Sequence, residues 1–221
     1  MPIWDIIGPV MIGPSSSHTA GAVRIGRLAR MCWGGGKFQR IDIYIRGSFA
    51  STGAGHGTDK ALIAGLLGCA PDDASVRNGL ELAREIKLEY HFHIEDIEGA
   101  HPNSARIVMS DGMRSVEVTA ASVGGGAVVL QELDGLQVDV TGALPVVIII
   151  NKDVHGVVGA ISTYFSGHGI NIATMKVNRN ARGGLATMVL ELDPEGAFVT
   201  ADEIKAVHPA IQRVIGLRGV E

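Results

Sequence analysis

Two short stretches carry side chains able to do acid–base or anion-binding chemistry. The first runs from Gly8 to Arg30, GPVMIGPSSSHTAGAVRIGRLAR, and sets five polar side chains in a row: Ser15, Ser16, Ser17, His18 and Thr19. From about Thr19 the apolar residues Ala22, Val23, Ile25, Ala29 and Met31 recur at three- and four-residue spacings, which predicts a helix. Hydroxyl side chains just before such a pattern are N-cap residues, and the free N–H groups of a first helical turn favour anions. A carboxylate or phosphate could rest on Ser15–Thr19 with His18 beside it. The second stretch, Gly47–Thr58 (GSFASTGAGHGT), is a small-residue segment read as a loop, with four glycines and His56, capped by Thr58 or Asp59 at the start of a helix over Asp59–Leu67. Imidazole titrates near neutral pH, so His18 and His56 are the candidate acid–base groups. Each precedes an expected helix, whose positive end keeps an imidazole neutral. Thr58 and Asp59 could orient His56 or bind an ammonium group. His101 and Asn103 form a weaker pair in the loop EGAHPNSA, where Pro102 holds His101 out of the helical region.

The elements that must position these groups are set by periodicity. Arg40–Arg46 (RIDIYIR) alternates as a strand; Pro71–Tyr90 reads as a helical segment, and Phe92–Ile97 as a short strand. Arg106–Ser110 and Ser115–Ala120 flank an Asp111-Gly112 hairpin turn, followed by Ser122–Gly126 (SVGGG), a strand over Val128–Leu133 and a short strand within Asp134–Ala143. A boundary is expected at Leu144-Pro145. Beyond it come a strand (Val146–Ile150), a helix (Val154–Ser166), strands at Ile170–Val177 and Leu185–Leu192, a short helix (Ala201–Ala206) and a strand at Ile211–Leu217. That order is β-α-β-β-α-β, the split unit of ferredoxin-like domains. The fold class expected is therefore α+β: a mixed α/β domain over residues 1–144 and a ferredoxin-like βαββαβ domain over 145–221.

Composition narrows the function. The 221 residues have a net charge of -4 and only 5% aromatics, which disfavours a nucleic-acid partner. The longest apolar run, Val146–Ile150, is too short to span a membrane, and the start lacks the basic region of a signal peptide. A cytoplasmic location is the expectation. Cys32 and Cys69 lack metal-ligand spacing, so no metal site is assigned to this chain, and two thiols cannot hold an iron–sulfur cluster alone. No GxxxxGK[ST] or GxGxxG element supports a phosphate-binding enzyme.

The motifs GPSSSHTAGAVRIG, GSFASTGAGHGTDKALIAGLLG, HPNSARI and SVGGG, in this order, resemble the β chain of bacterial iron–sulfur-dependent L-serine dehydratase. The segment DVHGVVGAISTYFSGHGINIATMKVNRN, with the β-strand and short helix expected after it, resembles an ACT domain, a small-molecule regulatory module. The resemblance implies conversion of L-serine to pyruvate and ammonia without pyridoxal phosphate. It also implies a [4Fe–4S] cluster held by a partner α chain and acting as Lewis acid on the serine hydroxyl. On that reading His18 and His56 supply the base, with the choice between them open. Ser15, Ser16, Ser17 and Thr19 bind the substrate carboxylate, helped by Thr58, Asp59, His101 and Asn103. The ACT resemblance implies an effector site at Asn151, Lys152, Asp153, His155 and Gly156, joined by Asn171 and Ile172. L-Serine or a related small carboxylate is the expected effector, and a dimer through either domain the expected assembly. The alternative is a non-catalytic amino-acid sensor that regulates a partner.

Overall fold

The computed structural model describes residues 10–95, 100–141, 144–194 and 199–217. Gly8 and Pro9, the expected strand end at 96–97, the loop start at 98–99 and residues 142–143 lie outside the described residues.

A π-helical turn, Ser16–Ala20, leads directly into α1 (Gly21–Trp33). It is followed by β1 (Arg40–Ile45), α2 (Gly47–His56), α3 (Thr58–Leu67), a 3-10 turn (Ala74–Asn78) and α4 (Gly79–Glu85). Then come β2 (Glu89–Ile94), β3 (Ser104–Ser110), β4 (Ser115–Gly124), β5 (Ala127–Leu133) and β6 (Leu136–Val140). The strands form one sheet in the order β2-β1-β3-β4-β5-β6. β1 runs parallel to β2, and β1/β3, β3/β4 and β4/β5 are antiparallel. Alternation in β1 and β3 sends Ile41, Ile43, Ile107 and Met109 into the core, all fully buried. On the other face Asp42 and Tyr44 stay partly exposed, and the Arg106 guanidinium lies 3.8 Å from the Tyr44 ring centre.

Helix α1 packs on β4 and β5 and, along another side, on α3. That crossing is unusually close. A methyl group at Gly65 would lie 2.0 Å from the Val23 carbonyl oxygen, and one at Gly26 2.3 Å from that of Leu62. Backbone therefore meets backbone where α1 and α3 touch, which fixes the two helices that come after His18 and His56.

The second run of elements is β7 (Val146–Lys152), α5 (Val157–Gly167), β8 (Ile172–Arg179), β9 (Leu185–Leu192), α6 (Ala201–Ala206) and β10 (Ile211–Leu217). Its antiparallel sheet has the order β10-β7-β9-β8, as the βαββαβ expectation requires. Val147, Ile149, Met188 and Leu190 from the sheet meet Val157, Ile161, Phe165 and Ile204 from the helices in one apolar core. The α6 helix opens with a full capping box, Thr200 and Glu203 bonding each other's backbone N–H. By packing, the described residues divide into two compact units, with the division between Gly135 and Leu136.

Three expectations need correction. Gly47–Thr58 is not a loop: residues Gly47–His56 are helix α2. The segment has almost no apolar periodicity; its fully buried Phe49 anchors it instead, with Phe49 N donating to the Pro102 carbonyl at 3.2 Å. The single helical segment over Pro71–Tyr90 is a 3-10 turn plus the short α4. Lys87, in the left-handed region at φ 56°, ends the latter, and the strand starts at Glu89. The first α-helix starts at Gly21, after a π turn that holds Ser16 to Ala20.

The glycine crossing gives a direct test in urea unfolding followed by circular dichroism. Gly65→Ala should cost about 1–3 kcal/mol through overpacking. Gly55→Ala, in α2 with open space around it, should be neutral or stabilise by up to ~1 kcal/mol. Equal effects at the two positions would refute the close crossing.

Candidate active site

Ser15 is the N-cap of the π turn: its Oγ accepts from His18 N at 3.2 Å and lies 3.4 Å from His18 Nδ1. This lays the His18 ring over α2, with Nε2 2.9 Å from Ser48 Oγ and 3.1 Å from Thr52 Oγ1. Thr52 Oγ1 donates to the Ser48 carbonyl at 2.9 Å, so it accepts at His18. The network closes with His18 carrying its proton on Nε2 and accepting from the Ser15 hydroxyl at Nδ1. The edge of Phe49 supports the ring, with centroids 5.4 Å apart.

His56 sits at the end of α2, one turn after Thr52. Its Nδ1 lies 3.0 Å from the Thr52 carbonyl oxygen, an atom that only accepts, so Nδ1 carries the proton. In the neutral ring the lone pair is then on Nε2. The two imidazoles are neighbours, with centroids 4.9 Å apart. Burial pushes the His18 pKa below the ordinary imidazole value, the adjacent His56 adds to this, and hydrogen bonding at Ser48 opposes it.

Two buried threonines tie the histidine-bearing segments together. Thr19 Oγ1 donates to the His56 carbonyl at 3.2 Å, and Thr58 Oγ1 donates to the His18 carbonyl at 3.0 Å. Glycines make room for them. A Cβ at Gly13 would strike Thr19 at 2.4 Å, and one at Gly53 would press on Thr58 at 3.1 Å. Gly57, at φ 70°, turns the chain between α2 and α3.

A cavity of about 660 Å³ opens beside His56. Its lining includes Thr19, His56, Gly57, Lys60 and Arg77, with Met11–Pro14 along one wall. Ile12 N donates to the Pro71 carbonyl at 2.8 Å and holds that wall to the chain leaving α3.

The structure thus brings together Ser15, His18, Thr19, His56 and Thr58. Ser16 and Ser17 lie half-buried in the same π turn, and Asp59 in the first turn of α3. Among the described residues, His101 and Asn103 share no hydrogen bond with the histidine pair. His101 Nδ1 accepts from Asn103 N at 3.2 Å, Asn103 Oδ1 is buried without a partner, and the loop meets α2 through Pro102. Ser48 and Thr52 escape the sequence reading because their segment has the composition of a loop. The spacing Ser48-Thr52-His56, one helical face at every fourth residue, is the available signal. Lys60 and Arg77 escape it because they look like ordinary surface charges.

In the second unit, Asn151 is buried at the end of β7, its Nδ2 donating to the Lys152 carbonyl at 2.7 Å while Oδ1 has no partner. Asp153 accepts from Gly183 N and Arg179, which hold its carboxyl below the usual range. Lys152 and His155 are exposed, and Gly156, at φ 91°, is the N-cap of α5. Asn171 donates to Asp193 at 2.7 Å. With Ile172 it lines a cavity of about 420 Å³ whose other walls are Ser162, Ser166, Gly169 and Ile170.

Comparison with known proteins identifies the family of each part of the chain. The serine dehydratase beta chain family matches residues 3–133, and the ACT domain family matches 146–209. The chain is 39% identical over 210 residues to the "Probable L-serine dehydratase, beta chain" of Bacillus subtilis, covering 95% of each. It is 34% identical over 192 residues to the "L-serine dehydratase, beta chain" of Peptoniphilus asaccharolyticus, covering 86% of each. A D-3-phosphoglycerate dehydrogenase of Bacillus subtilis is 28% identical over 173 residues, 78% of this chain and 33% of that protein. The histidine pair therefore sits within the region that defines the match: the chain belongs to the serine dehydratase β-chain family and carries an ACT domain after it.

Proposed function

We propose that this chain is the β subunit of an L-serine dehydratase. Residues 1–144 supply active-site loops to an α subunit, and residues 145–221 regulate them. One observation carries the reading: His56, whose Nε2 has no hydrogen bond among the described residues, stands at a cavity beside a second histidine whose charge is disfavoured. His56 Nε2 is the base for the α proton. The electron pair left on Cα forms the Cα–Cβ double bond as the hydroxyl leaves Cβ as hydroxide and takes up a proton to become water; the aminoacrylate gains a proton at Cβ and loses one from nitrogen to become an imine, which one water hydrolyses to pyruvate and ammonia. His18, with both ring nitrogens occupied by hydroxyls, orients and stays neutral, so that His56 takes up the proton without a second cation beside it.

The side chains of this chain do not fit an iron–sulfur cluster. Cys32 is buried within α1, Cys69 is half-buried beyond α3, and the described residues contain no cluster of three or more metal-ligating side chains. We assign the [4Fe–4S] cluster to the α subunit, and no step carried by this chain's residues runs through it.

In the ACT unit we infer an effector site at Asn151–Gly156, where the unpartnered Asn151 Oδ1 and the N-terminus of α5 suit an amino acid. L-Serine is the effector we expect, with Asn171 and Ile172 contributed across a dimer, because in one chain they line a cavity of their own.

A second reading, a non-catalytic sensor, has one observation in its favour. Most of this chain is similar to one third of a D-3-phosphoglycerate dehydrogenase, an enzyme named for another reaction. Anaerobic L-serine deamination by the chain alone and mixed with its cluster-loaded α subunit decides between the two. Activity only in the mixture is expected. Within that mixture, His56→Ala should lower kcat by about 10²–10⁴-fold, the usual worth of a general base. Full turnover with only a changed effector response would establish the sensor instead.

The state of His18 has its own readout. Its imidazole resonances should titrate below the ordinary imidazole value, and His56→Ala should raise that midpoint by removing the neighbouring charge. Because folding favours neutral His18, its contribution to stability is present above the unfolded-state value and is lost as pH falls through the lowered one. A midpoint unmoved by His56→Ala would break the coupling of the pair.

A further inference from the structure

The cavity beside His56 has an uneven charge. Its lining holds two permanent cations, Lys60 and Arg77, together with His56 and Thr19, and no carboxylate among the described residues. This stands out in a chain of net charge -4. Neither cation has an ion-pair partner among the described residues. They are 17 positions apart in sequence, yet backbone packing holds their segments together: a Cβ at Gly79, two residues after Arg77, would lie 2.2 Å from the Lys60 carbonyl oxygen. Meanwhile the hydroxyls nearest the histidines are already used. Ser15 Oγ accepts from His18 N, Thr19 Oγ1 donates to the His56 carbonyl, and Thr58 Oγ1 donates to the His18 carbonyl. They hold the histidines in place, and the anion-binding work falls to groups whose charge is unspent.

Resting on the reading of His56 as base, we infer that Lys60 and Arg77 clamp the substrate's carboxylate in this cavity and so set specificity for free α-amino acids. A carboxylate held there lies beside the imidazole that takes the proton from the adjacent carbon. Ligands of the same size without that negative charge lose the charge-assisted bonds and are rejected. Lys60 and Arg77 act on ground-state and transition-state binding alike, so their loss appears in KM rather than kcat.

The test compares L-serine with L-serinamide, which differs in lacking the carboxylate. In the α/β complex, Lys60→Met and Arg77→Met should each raise KM for L-serine by about tenfold or more while kcat stays within a few-fold, and should erase the preference over the amide. Titration of the β chain with each compound, read at the His56 ring resonances, supplies a second readout. L-Serine shifts them in the wild-type chain, L-serinamide does not, and both substitutions weaken the L-serine response. Unchanged KM and unchanged preference in active variants overturn the clamp while leaving His56 as base intact. An inactive wild-type complex overturns the base assignment, and the titration then judges the clamp alone: no response to L-serine, or an equal response to the amide, overturns it.

Discussion

The candidate site depends on two reciprocal hydrogen bonds. The threonine after His18 donates to the carbonyl of His56, and the threonine two residues after His56 donates to the carbonyl of His18. Both threonines are almost wholly buried, at 3% and 1% exposure, so losing either hydroxyl would remove a hydrogen bond worth about 0.5–1.5 kcal/mol. Each bond crosses between segments roughly forty residues apart in sequence and closes the π turn onto the α2–α3 junction. Glycine makes room at both: a Cβ at Gly13 would clash with Thr19, and one at Gly53 would crowd Thr58. The small-residue character of the two motifs is thus a packing requirement of the threonines that pin the histidines, and a loop lying over a ligand is not needed to explain it.

A second constraint comes from α1 and α3. Each histidine lies shortly before one of these helices, and the helices touch backbone to backbone at Gly26 and Gly65. A larger residue at either position would separate the helices and lengthen the two threonine bonds. The sheet beneath α1 supplies the apolar floor, with Val118, Ala120 and Leu130 buried. Stability of the core and geometry of the candidate site are in this way set by the same contacts, as expected where a site's side chains are carried on rigid elements.

The second unit is legible in the sequence almost element by element. Leu185–Leu192, Ala201–Ala206 and Ile211–Leu217 have the bounds that apolar patterning predicts. Its core is built from side chains whose periodicity is strong, such as Val157, Ile161 and Phe165 along α5. The first unit is legible where strands alternate, in β1 and β3, and opaque at α2. Gly47, Ser48, Ala50, Ser51, Thr52, Gly53 and Gly55 form a small-residue run with little helical propensity and no apolar stripe. The helix forms because Phe49 is buried and its N–H meets Pro102 from a distant loop, a tertiary contact with no local signature. The same tertiary override hides Ser48 and Thr52. The histidines and the hydroxyls around them are visible as a motif, but their bonding partners are not.

Thr52 shows why that hidden helix matters to the chemistry. Its hydroxyl accepts from His18 Nε2, and its carbonyl accepts from His56 Nδ1, so one residue of α2 sets the tautomer of both rings. The consequences differ. His18 ends with hydroxyls at both nitrogens, while His56, which lines the cavity, has no hydrogen bond at Nε2 among the described residues. Two histidines whose centroids are 4.9 Å apart repel when both are charged, so only one can take a proton readily. Burial and the neighbouring ring disfavour the charge on His18. A helix made of small residues, rather than the histidines' own sequence context, is therefore what makes the two rings differ in their hydrogen bonding.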